Sequence, residues 1–160
     1  MTHLTSCADA EAVASRAAAE IARHLQRARA EAGVAHVALS GGTTPARTYE
    51  LLAAEPANWA GAEVWFADER CVTPEDAQSN YRLAAETLLG PAGIAPERVH
   101  RMQGELGPAE GARRYAEALG VHIAPVEQGL PLLDLVVLGI GPDGHVASLF
   151  PGAVTLDANE

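Results

Sequence analysis

Residues 132–152 read LLDLVVLGIGPDGHVASLFPG. The opening run, Leu132 to Ile140, is nearly all aliphatic. A short apolar run of this kind, bounded by glycine, predicts a strand buried on both faces of a parallel sheet. It passes directly into Gly139-Ile140-Gly141-Pro142-Asp143-Gly144-His145. Glycine lets a backbone turn sharply and come close to a ligand. An Asp two positions before a His offers an oriented imidazole that moves protons near neutral pH. Open α/β sheets place their sites where a strand runs into such a loop.

Working outward from this loop, strands and helices alternate. Asp9 to Ala32 predicts a long helix whose stripe is Val13, Ala17, Ile21, Leu25 and Ala28. Ser6 or Asp9 suits its start and Gly33 its end. Val34 to Leu39 reads as a strand and leads into Ser40-Gly41-Gly42-Thr43-Thr44-Pro45. Thr44 as N-cap and Pro45 in the first turn predict a helix from here to about Ala54, stopped by Pro56. Ala62 to Ala67 is a second strand, ending at Asp68-Glu69-Arg70. Polar loop follows, then a helix over Asn80 to Leu89 with Ser79 as its cap. The segment from Ala92 to Gly107 is irregular, with a short strand at Val99 to Arg101, and Pro108 to Leu119 is a further helix. The expected fold is α/β, an open parallel sheet with helices on both faces and right-handed crossovers. In such a sheet Ser40–Pro45, Asp68–Arg70 and Gly141–His145 all emerge at one edge and share one crevice.

Composition narrows the function. The 160 residues suit one domain with a real core. Eleven basic against 21 acidic residues give a net charge of −10. That excludes the basic face a nucleic-acid partner needs and disfavours an anionic membrane surface. A small anionic substrate remains compatible, because a few backbone N–H groups and one Arg make a local positive site. Cys7 and Cys71 form no metal-type pair. The N-terminal stretch lacks a signal-peptide pattern, and no apolar run reaches the roughly 20 residues of a membrane helix. A cytoplasmic protein with no membrane or nucleic-acid partner, acting as a monomer, is expected.

Each motif has a functional and a bland reading. SGGTTP is an anion cradle at a helix N-terminus or a tight turn that binds nothing. In Asp68-Glu69-Arg70 the two carboxylates point opposite ways along extended chain, and Arg70 either holds an anion or makes a surface salt bridge. The third loop formally contains G-x-G-x-x-G, but Pro142 interrupts it. A triad of Asp143, His145 and Ser148 is too local in sequence and lacks the nucleophile elbow. A metal held by His145 with Asp143 or Asp68 lacks a second clustered His. The preferred reading is a general base, His145, oriented by Asp143. The competing one is a histidine that merely satisfies the loop. His36, His100 and His122 look like strand or loop residues and are assigned no role.

Taken together, SGGTTP, DERCV with Ser79-Asn80-Tyr81 downstream, and GIGPDGHVASLFPG resemble the 6-phosphogluconolactonases in order and spacing. The related glucosamine-6-phosphate deaminases continue the Asp-Gly-His loop into a carboxylate-bearing sequence. This chain has Ala147-Ser148-Leu149-Phe150-Pro151 there, and Arg70 where deaminases tend to have Tyr. The resemblance implies a modified Rossmann-type fold that uses no nucleotide and no metal or organic cofactor. It implies a sugar-phosphate lactone as substrate: hydrolysis of 6-phospho-glucono-1,5-lactone to 6-phosphogluconate in the oxidative pentose phosphate pathway. His145 would activate water, Asp143 would orient it, and Arg70 would stabilise substrate or the developing oxyanion. Ser40, Gly41, Gly42, Thr43 and Thr44 would receive the 6-phosphate, with Gly144 and Ser148 as further substrate contacts. The alternatives are an amino-sugar-phosphate deaminase/isomerase and a non-catalytic sugar-phosphate sensor. Family members are usually longer than this chain. The resemblance therefore also implies one domain over residues 1–160, truncated at the C-terminus, with an incomplete sheet, an exposed apolar face, and poor stability and activity for these residues alone.

Overall fold

A computed structural model describes residues 3–123 and 130–157. Helix α1 covers Ala10–Ala32. The Asp9 carboxylate accepts the Ala12 N–H at 2.8 Å at its start, and Gly33, at φ 80°, turns the chain at its end. Strand β1 is Ala35–Leu39, α2 is Thr43–Ala53, and β2 is Ala62–Phe66. Helix α3, Asn80–Ala84, runs on into one π-helical turn over Ala85–Leu89. Helix α4 is Pro108–His122 and β3 is Leu135–Val136.

The sheet order is β2-β1-β3, and both pairings are parallel, as the alternation of elements predicts. Strand parity sorts the core into two layers. Val37, Leu39, Val64 and Phe66 face α1, α2 and the α3 region. Ala38 and Trp65 face α4, against Tyr115 and Ile123. Helices therefore cover both faces.

Three expectations need correction. The aliphatic run from Leu132 to Ile140 is not a strand buried on both faces. Only Leu135 and Val136 pair, with Val37 and Ala38, and burial alternates along the run. Leu135 and Val137 pack on the first layer, whereas Val136, Leu138 and Ile140 are 43%, 52% and 80% exposed. The physical reason is the reach of α4, which covers Trp65 and Ala38 but not β3. The short strand expected at Val99 to Arg101 is a single bridge to Val64. The first turns of the long helix are also rotated from the expected stripe: Ala14 and Ala18 are buried, and Val13 and Ala17 turn toward a cavity.

The two outer edges of the sheet differ. On β2, the Val64 carbonyl accepts the His100 N–H at 2.8 Å. The Tyr115 hydroxyl accepts the Phe66 N–H and donates to the Phe66 carbonyl, at 2.8 and 2.9 Å. Among the described residues, no backbone group pairs with the outer edge of β3.

Candidate active site

Helix α2 starts two residues earlier than the Thr44 cap predicts. Its N-cap is Gly42 at φ 115°, and no side chain caps it. The first N–H groups of any helix lack internal partners, and here no capping side chain takes them. They and the helix dipole form a ready site for an anion. Ser40 lies just before. Its backbone is fixed by Tyr49, whose hydroxyl accepts the Ser40 N–H at 3.0 Å and donates to the Ser40 carbonyl at 2.8 Å. The Ser40 side chain is 5% exposed, and its Oγ has no hydrogen-bond partner among the described residues. A buried hydroxyl without a partner costs free energy, which binding of an acceptor would recover.

A cavity of about 610 Å³ opens over this turn. Ser40, Gly41, Gly42, Thr43 and Thr44 line one wall. Arg70 and Asp68 come from the end of β2, Asn80 from α3, and Gly141, Pro142 and His145 from the loop after β3. The three strand-end motifs thus meet, as the parallel topology requires. The Arg70 guanidinium has no ion-pair partner among the described residues. Asp143, Gly144 and Ser148 are not part of the wall.

The loop carrying His145 is a tight antiparallel turn. The Gly141 N–H donates to the His145 carbonyl at 2.8 Å and the Gly144 N–H to the Gly141 carbonyl at 2.9 Å. The imidazole lies against Gly141, where a Cβ would collide with the ring. Asp143 Oδ1 is 2.5 Å from His145 Nδ1 and also accepts the His145 N–H at 3.2 Å. These contacts hold the Asp143 carboxyl below its usual range. Nδ1 is thereby engaged, and Nε2 has no hydrogen-bond partner among the described residues. Phe150 packs on the ring, centroid to centroid 4.8 Å. Ala147 takes φ 50°, uncommon for a residue with a Cβ, as the chain turns back.

Sequence reasoning missed three structural roles. Glu69 is not a free surface charge. Its carboxylate accepts the Asn80 and Tyr81 N–H groups at 2.7 and 2.8 Å and the Ser79 hydroxyl at 3.1 Å, seating the N-terminus of α3. Ser79 in turn accepts the Arg82 N–H, as its expected cap role requires. Asp68, 9% exposed, accepts the Asn80 amide and the Ser148 hydroxyl. Gly104 lets its loop lie on the Arg70 carbonyl, where any Cβ would clash. Only the conjunction of Ser79-Asn80-Tyr81 with the Asp-Glu-Arg motif hints at the first two. Among the described residues no group of three or more His, Cys, Asp or Glu is placed to hold a metal, and no helix is long and apolar enough to cross a membrane.

Residues 8–160 match the family of glucosamine-6-phosphate isomerases/6-phosphogluconolactonase. A 6-phosphogluconolactonase of Pseudomonas putida is 41% identical over 154 residues, covering 94% of this chain and 59% of the relative. A solved 6-phosphogluconolactonase from Shewanella baltica is 33% identical with a TM-score of 0.83, covering 98% of this chain and 64% of that one. A monomeric glucosamine-6-phosphate deaminase superposes with a TM-score of 0.72 at 22% identity, over 91% of this chain and 58% of that one, a likeness of fold alone. Against the curated relatives from Treponema pallidum and Pseudomonas putida, the chain spans 51% and 59% of their length. The match over nearly the whole sequence, with the strand-end motifs meeting in one cavity, decides the assignment: the chain belongs to the glucosamine-6-phosphate isomerase/6-phosphogluconolactonase family.

Proposed function

We propose that the protein hydrolyses a sugar-phosphate lactone, 6-phospho-glucono-1,5-lactone, to 6-phosphogluconate. One observation carries the reading. An imidazole with Nδ1 held by a carboxylate, an arginine without an ion-pair partner among the described residues, and a helix N-terminus without a side-chain cap line the same cavity.

In this reading the phosphate sits on the N–H groups that open α2, with the Ser40 hydroxyl donating to it. Remote binding energy of this kind fixes the ring over the base. His145 Nε2 takes a proton from water as the water oxygen bonds to the lactone carbonyl carbon. Asp143 supports the imidazolium that forms. Arg70 faces the negative charge on the former carbonyl oxygen. As the tetrahedral intermediate collapses, the bond from that carbon to the ring oxygen breaks, and the imidazolium returns its proton to the leaving oxygen. The new carboxylic acid then ionises in water. The related deaminase reaction is the second reading. The Ala147-Ser148-Leu149-Phe150-Pro151 stretch, where a deaminase loop carries a carboxylate, disfavours it.

The test is hydrolysis of freshly generated lactone, corrected for its spontaneous rate, with release of ammonia from glucosamine 6-phosphate as the competing assay. Lactone turnover that falls about a hundred-fold or more in His145→Ala is expected for loss of a general base. Full turnover in that variant would overturn the assignment of the base.

A further inference from the structure

We infer that Asp68 is a positioning residue, a buried carboxylate that clamps the loop carrying His145 to the turn that opens the anion cradle. The catalytic part of this inference rests on the lactone-hydrolase reading; the clamp itself does not.

The geometry has two arms. Asp68 Oδ2 accepts the Ser148 hydroxyl at 2.7 Å, across 80 residues of sequence. Ser148 lies three residues beyond His145, on the returning limb of the same turn, where Val146 bridges both Ile140 and Leu149. Asp68 Oδ1 accepts the Asn80 side-chain amide at 3.0 Å, and that amide also donates to the Asp68 carbonyl at 3.0 Å. The oxygen of the same Asn80 side chain packs on Gly41 so closely that a Cβ there would collide with it. One carboxylate at the end of β2 therefore links the loop ends of β1 and β3.

Both Asp68 oxygens already accept a protein donor, so the group is poorly placed to act as a base. Glu69 next to it spends its carboxylate on α3. A buried carboxylate held by two donors fixes both partners strongly, because removing it leaves the donors unpaired. Displacement of a catalytic group by about 1 Å costs about a hundred-fold in rate, so a clamp of this kind is visible in turnover.

The test combines steady-state kinetics with hydrogen exchange in the intact protein. Ser148→Ala removes one arm at an exposed position. It is expected to lower kcat about ten-fold with KM within about two-fold, and to leave the pH dependence of kcat unmoved. Ser148→Thr, which keeps the hydroxyl, restores most of the rate. Asp68→Ala removes both arms, lowering kcat and raising KM. Amides over residues 141–149 exchange faster in Ser148→Ala and in Asp68→Ala, and the double variant is no faster than Asp68→Ala alone, as coupled residues require. Wild-type kcat in Ser148→Ala, or exchange effects that simply add, would overturn the clamp. Should Asp68→Ala not fold, the Ser148→Ala and Ser148→Thr pair still decides. If the wild-type protein fails to hydrolyse the lactone, the function proposed above falls, and the exchange measurements still judge the clamp.

Discussion

At Gly41 and Gly141 a hydrogen is the largest substituent the site tolerates. A methyl at Gly141 would meet the His145 ring, and one at Gly41 would meet the Asn80 oxygen. Both are backbone positions set against side chains already held by other bonds, so the ring or the amide must move. Gly141→Ala is expected to reduce kcat about a hundred-fold, the scale of a displaced catalytic group, with circular dichroism and melting temperature little changed. Gly41→Ala is expected chiefly to raise KM for the phosphorylated substrate, which a titration with inorganic phosphate checks. A different residue-scale effect belongs to His36. Trp65 donates its indole N–H to His36 Nδ1 at 3.2 Å, so the imidazole accepts and is neutral in that contact. His100 stacks on the same indole at 4.0 Å, His122 lies 4.4 Å from His100, and Glu63 and Asp134 face the group from β2 and the approach to β3. Burial, the largest influence, holds the His36 pKa below its ordinary value. The unfolded chain therefore binds this proton first as pH falls. The stability contribution is complete above the unfolded value of about 6.5, and it is lost as pH falls through the lower folded value. Denaturant midpoints between pH 8 and pH 5 are expected to fall in the wild type and to fall less in His36→Gln.

At the scale of elements, the site is built from helix beginnings. Helix α2 has no side-chain cap and faces the cavity; α3 is capped heavily and serves as a support. Glu69 alone accepts from two backbone N–H groups and a hydroxyl at the start of α3. Glu69→Ala is expected to destabilise the protein by about 2–3 kcal/mol, the scale of a lost multi-donor cap at a charged acceptor, which urea denaturation measures. The elements themselves were legible in the sequence because each carries a local signal. Gly33 ends α1, Pro56 stops α2, and the glycine loops follow strands. The meeting of three motifs was legible too, since parallel strands deliver their ends to one edge. What was hidden depended on partners distant in sequence. Thr44 has the chemistry of a cap, but Gly42 at φ 115° starts the helix two residues earlier. The roles of Asp68, Asn80 and Ser148 appear only when 80 residues of chain are folded between them. His36, His100 and His122 carried no common pattern, yet Trp65 gathers them.

At the scale of the whole molecule, the uncovered face of β3 is the dominant feature. Leu132, Val136, Leu138 and Ile140 are all exposed, and so are Leu149, Phe150, Val154 and Leu156 further along the chain. Exposed apolar surface on this scale attracts other apolar surface. A polypeptide of residues 1–160 is expected to bind an apolar dye and to self-associate. Val136→Lys, outside the cavity wall, should reduce both, as light scattering and dye titration would report. The sheet itself has unequal borders. Along β2 the backbone is already engaged by Val99, His100 and Tyr115; along β3 no described residue engages it. Growth of the sheet is therefore one-way. A strand arriving there by a crossover from the same polypeptide would run parallel to β3. A twofold-related copy meeting it edge to edge would run antiparallel. Strand direction at that single border thus records whose strand has been added.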